Sequence, residues 1–188
     1  MTVTLANAGA IDRSETDFYP TPAEVTEALM LFLRLPEGTT IWEPAAGEGH
    51  MARVMEKWGM RVSCSDLYTY TKENFLEVKE SRGDWIITNP PFFASEDFIR
   101  HALGFKGGVA MLLKSQYWHA ATRLNLFKKH TPSFVLPLAW RPDFLFGRKA
   151  SAPTMEVLWT VWMPSRSVIC EYRPLPRPLV GQEDLRFA

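Results

Sequence analysis

Long apolar runs are missing from this sequence. No uninterrupted stretch approaches the roughly 20 residues a helix needs to cross a bilayer, so no helical membrane span is expected. The first residues carry Asp12, Glu15 and Asp17 with no apolar core, which argues against a secretory signal. Cysteine is scarce. Cys64 and Cys170 have neither metal nor disulfide spacing, a usage that points to the reducing cytoplasm. Cys64 falls in a strand expected to be buried, as a small inert thiol. His50, His101, His119 and His130 make no metal set, and His50 reads as a helix-start residue. Internal repeats are absent. Net charge is absent as well, with 21 Lys and Arg against 21 Asp and Glu.

What remains is globular material: 188 residues, 46% hydrophobic and 22% charged, suited to a single domain over 1–188 with one core. The zero charge hides a split. Residues 1–100 hold 9 basic against 16 acidic side chains, whereas residues 101–150 hold 8 basic against Asp143 alone. Such asymmetry suits a face for a polyanion, or equally a solvated basic edge.

Residues 1–15 lack periodicity and form a loose lead-in. A helix follows Pro22, with Val25, Leu29, Phe32 and Leu33 on one face, and ends at Pro36-Glu37-Gly38. Strands are predicted at 39–42, 61–65, 84–88, 109–113, 134–138 and 157–163. Helices are predicted from Met51 to Trp58, from Phe98 to Leu103 and over 115–129. This alternation argues for βαβ units and a mainly parallel sheet. The tail 164–188 contains Pro174, Pro176 and Pro178 and is expected to wrap the surface without regular structure.

Chemistry concentrates at strand ends. The first strand runs into Glu43-Pro44-Ala45-Ala46-Gly47-Glu48-Gly49, where Gly47 and Gly49 allow close backbone approach and positive φ. No Lys-Ser/Thr follows, so a phosphate-cradling loop is not indicated. Asp66 ends the next strand about 20 residues on, placed to accept from ribose hydroxyls or, more simply, to cap a helix. Asn89-Pro90-Pro91-Phe92 then follows an apolar strand, and its prolines stop the strand and stiffen the turn.

That tetrapeptide resembles the (Asp/Asn/Ser)-Pro-Pro-(Tyr/Phe) motif of S-adenosyl-L-methionine-dependent amino-methyltransferases, and of DNA N6-adenine methyltransferases in particular. The resemblance implies a Rossmann-like class I methyltransferase fold, a mostly parallel seven-stranded sheet with helices on both faces and an antiparallel last strand. It implies that the Asn89 side-chain oxygen and the Pro90 carbonyl accept the hydrogens of an exocyclic amine, with Pro91 stiffening the turn and Phe92 stacking on the target base. Phe18-Tyr19-Pro20-Thr21-Pro22 resembles the family's (Phe/Tyr)-x-Thr-Pro segment, so that Thr21 would hydrogen-bond the cofactor carboxylate and Tyr19 would wall the pocket. By the same likeness Glu43 faces the methionine moiety, Ala45, Gly47, Gly49, Asp66 and Asn89 line the cofactor, and Asn74-Phe75 holds its adenine. Asn74 stands where the family usually has Asp.

Trp140-Arg141-Pro142-Asp143-Phe144 and residues 155–162 resemble small phage- and prophage-encoded adenine methyltransferases. Those relatives that read a fixed site carry a separate target-recognition region. Here only loops remain, chiefly residues 141–153, so relaxed sequence preference is expected. Arg141, Arg148 and Lys149 are expected to hold DNA phosphates, with Arg123, Lys128 and Lys129 next in line. Trp118 is a candidate for the base pocket, and the remaining Trp are core. No nucleophilic Cys stands at the catalytic strand end, as cytosine-C5 chemistry would need, and a zinc deaminase signature is missing. Other readings are RNA adenine, cytosine N4 or a protein glutamine amide as acceptor, or a catalytically silent nucleic-acid-binding module.

Overall fold

The computed structural model describes residues 20–69, 71–144, 155–165 and 168–179. Its elements in chain order are α1 Ala23–Leu33, β1 Thr40–Glu43, α2 His50–Lys57, β2 Arg61–Cys64, β3 Trp85–Thr88, α3 Ser95–Ala102, β4 Gly108–Lys114, α4 Leu124–Lys129, β5 Phe134–Pro137, β6 Val157–Trp162 and β7 Glu171–Tyr172. They form one seven-stranded sheet in the order β2-β1-β3-β4-β6-β5-β7.

The alternation of side chains along β4 explains the layering. Ala110 and Leu112 face a core with Leu29, Met30, Met51 and Met55 of α1 and α2. Val109, Met111 and Leu113 face a second core with Phe98, Ile99 and Ala102 of α3 and Leu126 of α4. A strand buried on both faces needs a continuous apolar run, which β4 has. Helices therefore cover both faces. The Trp159 indole on β6 donates to the Val25 carbonyl of α1 at 3.0 Å, which pins the first helix across the sheet.

The sheet is mixed and mostly parallel, as expected: among the described strands β6 alone runs antiparallel to its neighbours, β4 and β5, while the other pairings are parallel. Three expectations need correction. The antiparallel strand is not the last. The tail returns as β7, an edge strand beside β5, and Leu175 bridges to Leu138. The prolines permit this because they alternate. Glu171, Arg173 and Leu175 turn their N–H groups inward to the carbonyls of Ser133, Val135 and Pro137. Pro174 and Pro176 thus fall on the outward positions, where a missing N–H costs nothing and blocks further pairing.

Secondly, residues 115–129 are not one helix. Two 3-10 turns, Ser115–His119 and Ala121–Arg123, precede α4, with Ala120 extended between them at φ −99° and ψ 120°. The break lets the consecutive rings Tyr117 and Trp118 both pack on Phe127, Trp118 stacked at 4.0 Å and Tyr117 edge-on at 6.0 Å. Trp118 is thus half-buried, with one face of its ring against Phe127. Thirdly, β2 is an edge strand, so Cys64 is only half-buried. Burial and the nearby Glu43 and Glu56 carboxylates push its thiol up to about 12, which keeps it unreactive. Among the described residues no helix is long and apolar enough to cross a membrane.

Candidate active site

The carboxyl ends of β1, β2 and β3 lie side by side, with β1 in the middle. After β1 the chain turns through Gly47 (φ 53°) and Gly49 (φ 75°), conformations that side chains disfavour, and Gly49 opens α2. The end of β2 clamps this turn. The Ala46 N–H donates to the Ser65 carbonyl, and the Thr69 hydroxyl donates to the Gly47 carbonyl at 2.7 Å. The Asp66 carboxylate accepts from the Gly47 N–H at 2.9 Å and from Tyr68 and Thr69 at 2.8 and 3.0 Å. Asp66 therefore braces two turns against each other, and caps no helix. A carboxylate offers about four acceptor positions, so these three bonds leave one, and Asp66 lines a cavity.

That cavity, of about 290 Å3, gathers Thr21, Glu43, Ala45, Asp66, Asn74, Phe75 and the whole Asn89-Pro90-Pro91-Phe92 turn. Gly47 and Gly49 are not among its lining residues, although their neighbours Ala46 and His50 are. Tyr19 lies outside the described residues. Asn74 caps the 3-10 turn Phe75–Glu77, accepting from the Leu76 N–H and donating to Glu77. Its polar atoms thus have partners in the fold besides any that a ligand offers. Phe75 is buried in an aromatic cluster with Trp42, Phe98 and His101.

Glu43 is the electrostatic centre. Only 2% of the residue is exposed, and its Oε2 has no hydrogen-bond partner. Burial raises its carboxyl well above the usual range, and the Asp66 carboxylate adds to this, while the Ala52 backbone N–H and Arg53 oppose it. A buried acid with an unmet oxygen is costly unless a donor or cation arrives. S-adenosyl-L-methionine brings a sulfonium and an ammonium. The residues present fit it: Glu43 for positive charge, Asp66 for ribose hydroxyls, Phe75 and Leu76 as apolar wall.

Asn89 donates from Nδ2 to the Thr21 hydroxyl at 3.1 Å, across 68 positions of sequence. Three further residues, Glu73 and Phe93 at the cavity and Lys114 against Phe92, escaped sequence reading. Glu73 lines the cavity with a buried, partnerless Oε2, while its Oε1 holds Arg82 at 2.5 Å. Lys114, at the end of β4, places its ammonium 3.7 Å from the Phe92 ring centroid. Phe93 also lines the cavity yet is 74% exposed. A basic residue closing an apolar strand was the available signal for Lys114.

Of the expected phosphate-binding residues, Arg141 lies at the Lys114 end of β4, where the carbonyl of its partner Glu156 accepts from the Ser115 N–H. Arg141 pairs with Glu156 at 2.7 Å, and Arg123 stacks on Tyr117 at 3.8 Å while donating to its carbonyl. Lys128 and Lys129 end α4 beside His130, whose carbonyl holds the Trp162 indole. Trp162 pairs with Val109, at the opposite end of β4 from Lys114, so these lysines sit away from the Asn89 edge. Arg148 and Lys149 lie outside the described residues.

No family model and no curated protein matches the chain. Solved structures do. A protein assigned as the modification subunit of a type I restriction enzyme from Vibrio vulnificus superposes with a TM-score of 0.60 at 12% identity, over 90% of this chain and 52% of that one. A protein of Listeria monocytogenes assigned as a class I S-adenosylmethionine-dependent methyltransferase gives 0.57 at 13% identity, over 90% and 69%. One from Pyrococcus horikoshii assigned as an RNA methyltransferase gives 0.51 at 17%, over 80% and 88%. The chain spans about half the length of the restriction-enzyme subunit it matches. At such identities the likeness concerns architecture, and it is consistent across the three: the chain has the fold of class I S-adenosylmethionine-dependent methyltransferases.

Proposed function

We propose that the chain transfers a methyl group from S-adenosyl-L-methionine to the exocyclic N6 amine of adenine in DNA. The observation that carries this reading is the stiff Asn89-Pro90-Pro91-Phe92 turn, which shares one cavity with the buried Glu43 carboxyl and its partnerless Oε2. When bound, the cofactor supplies an electrophilic methyl group on a sulfonium. Glu43 would hold its positive charge and Asp66 its ribose.

The acceptor amine is weakly nucleophilic because its lone pair is delocalised into the ring. Two acceptors, Asn89 Oδ1 and the Pro90 carbonyl, draw its hydrogens and favour a pyramidal nitrogen. The prolines pre-organise both, so the interaction is strongest where it lowers the barrier. Phe92 offers a ring for the target base, backed by the Lys114 ammonium. The exposed Phe93 ring supports stacking of an unpaired base at the rim.

RNA adenine is the second reading, favoured by the fold shared with the Pyrococcus protein. The test is incubation with a methyl-labelled donor and equal amounts of single-stranded DNA, duplex DNA, RNA and protein. Label is expected in DNA, spread over many sequence contexts. Label in RNA or protein with none in DNA overturns the proposal.

A further inference from the structure

The ribose of an adenosyl group carries two hydroxyls on neighbouring carbons, and each has a hydrogen to donate. Asp66 can take only one of them. Its Oδ2 already accepts from the Gly47 N–H, and its Oδ1 from the N–H groups of Tyr68 and Thr69, so one of about four acceptor positions is left. Those three bonds brace the turns after β1 and β2, and the fold needs them.

We propose that Glu73 is the second carboxylate of the ribose site, its Oε2 accepting from the hydroxyl that Asp66 cannot hold. The inference rests on the reading of S-adenosyl-L-methionine as methyl donor. Glu73 lines the same cavity, and its Oε2 is buried and partnerless although 29% of the side chain is exposed. A buried acceptor with no donor is costly, so a ligand that brings one gains by meeting it. Arg82 already balances the charge through Oε1, which suits a neutral donor at Oε2. A hydroxyl is such a donor.

The chain holds Glu73 in place for this role. Its N–H donates to the Asp66 carbonyl at 3.2 Å, which ties the two acidic residues together through the backbone. Lys72, just before it, has φ 50°, a left-handed conformation that residues other than glycine seldom adopt and that persists where the surroundings hold it. Arg82, which grips Oε1, lies over the Trp42 ring of β1, 5.2 Å from its centroid. With one oxygen fixed to Arg82, the other has a defined position. Asn74, next along the chain, is engaged as the cap of the turn Phe75–Glu77.

The test measures binding by calorimetry and needs no turnover. It compares the native protein with Glu73→Met, which keeps the length and removes both oxygens, and with Glu73→Gln. Each is titrated with S-adenosylhomocysteine, its 2′-deoxy and 3′-deoxy analogues, and S-inosylhomocysteine, which lacks the adenine amine. In the native protein each missing hydroxyl should weaken binding by about 10-fold or more, the value of a hydrogen bond to a charged acceptor. In Glu73→Met one of these penalties should fall below about 3-fold while the other keeps its native size, because that hydroxyl stays with Asp66. Glu73→Gln keeps a neutral acceptor, so the same penalty should fall to an intermediate value, about 3-fold or more below the native one.

A native penalty for only one hydroxyl, or two unchanged penalties in a folded Glu73→Met, overturns the proposal. So does a change confined to the S-inosylhomocysteine penalty, which would put Glu73 on the adenine amine. If Glu73→Met does not fold, Glu73→Gln decides, and penalties equal to the native ones overturn the proposal. All these outcomes leave methyl transfer standing. Failure of the native protein to bind S-adenosylhomocysteine at all is a different result, and it removes the cofactor reading together with the proposal built on it.

Discussion

Glu43 is where the chemistry of single residues can be read most directly. Its folded carboxyl titrates well above the ordinary glutamate value of 4.5, chiefly because burial disfavours the charge. The native state therefore binds this proton more tightly than the unfolded chain does. That contribution to stability is full below about 4.5 and is lost as pH rises through the raised folded value. A bound cation reverses the preference, so binding expels the proton. Affinity for S-adenosyl-L-methionine should climb with pH between 4.5 and the raised value and then level, whereas Glu43→Gln should show weaker and pH-flat binding. The same substitution should stabilise the empty protein at neutral pH. Calorimetry in buffers of different ionisation heat checks both, and pH-flat binding by the native protein contradicts the assignment. Asp66 has a different standing, since it also holds Gly47, Tyr68 and Thr69. Asp66→Ala should weaken cofactor binding by about ten- to hundred-fold and lower Tm too.

At the scale of elements, the strand-end turns were legible in the sequence because each carries its own punctuation: Gly47 and Gly49 after β1, Asp66 after β2, two prolines after β3. What escaped depends on neighbours that sequence does not show. Lys114 matters because β4 lies beside β3, and Glu73 because its loop folds back on the end of β2, where its N–H meets the Asp66 carbonyl. The tail differs for another reason: its proline density argues against pairing, but the period of two leaves the inward N–H groups of Glu171, Arg173 and Leu175 intact. Leu175, 5% exposed, then joins the core on the α1 and α2 face. Leu175→Ala should cost roughly 2–4 kcal/mol, or a fall in Tm of about 5–15 °C by thermal denaturation. A change under about 2 °C would mean that β7 is peripheral to the fold.

For the whole molecule, the charge split between residues 1–100 and 101–150 survives folding only in part. Lys128 and Lys129 end α4 toward the far end of the sheet, whereas Lys114 lies over Phe92, and Arg141, paired with Glu156, stands at the same end of β4. Lys114→Ala should lower the log–log salt slope of DNA binding by about 0.7–0.9, while the double replacement of Lys128 and Lys129 by Ala should leave it unchanged. Filter-binding titrations at several salt concentrations separate the two, and the reverse ranking would move the nucleic-acid face to the α4 end. The reaction itself is tested most directly by digesting DNA treated with the protein and S-adenosyl-L-methionine to nucleosides and weighing them. The expected product is N6-methyl-2′-deoxyadenosine, lost when Asn89→Ala replaces the native protein. N4-methyl-2′-deoxycytidine alone, or N6-methyl-2′-deoxyadenosine at undiminished yield from Asn89→Ala, would contradict it.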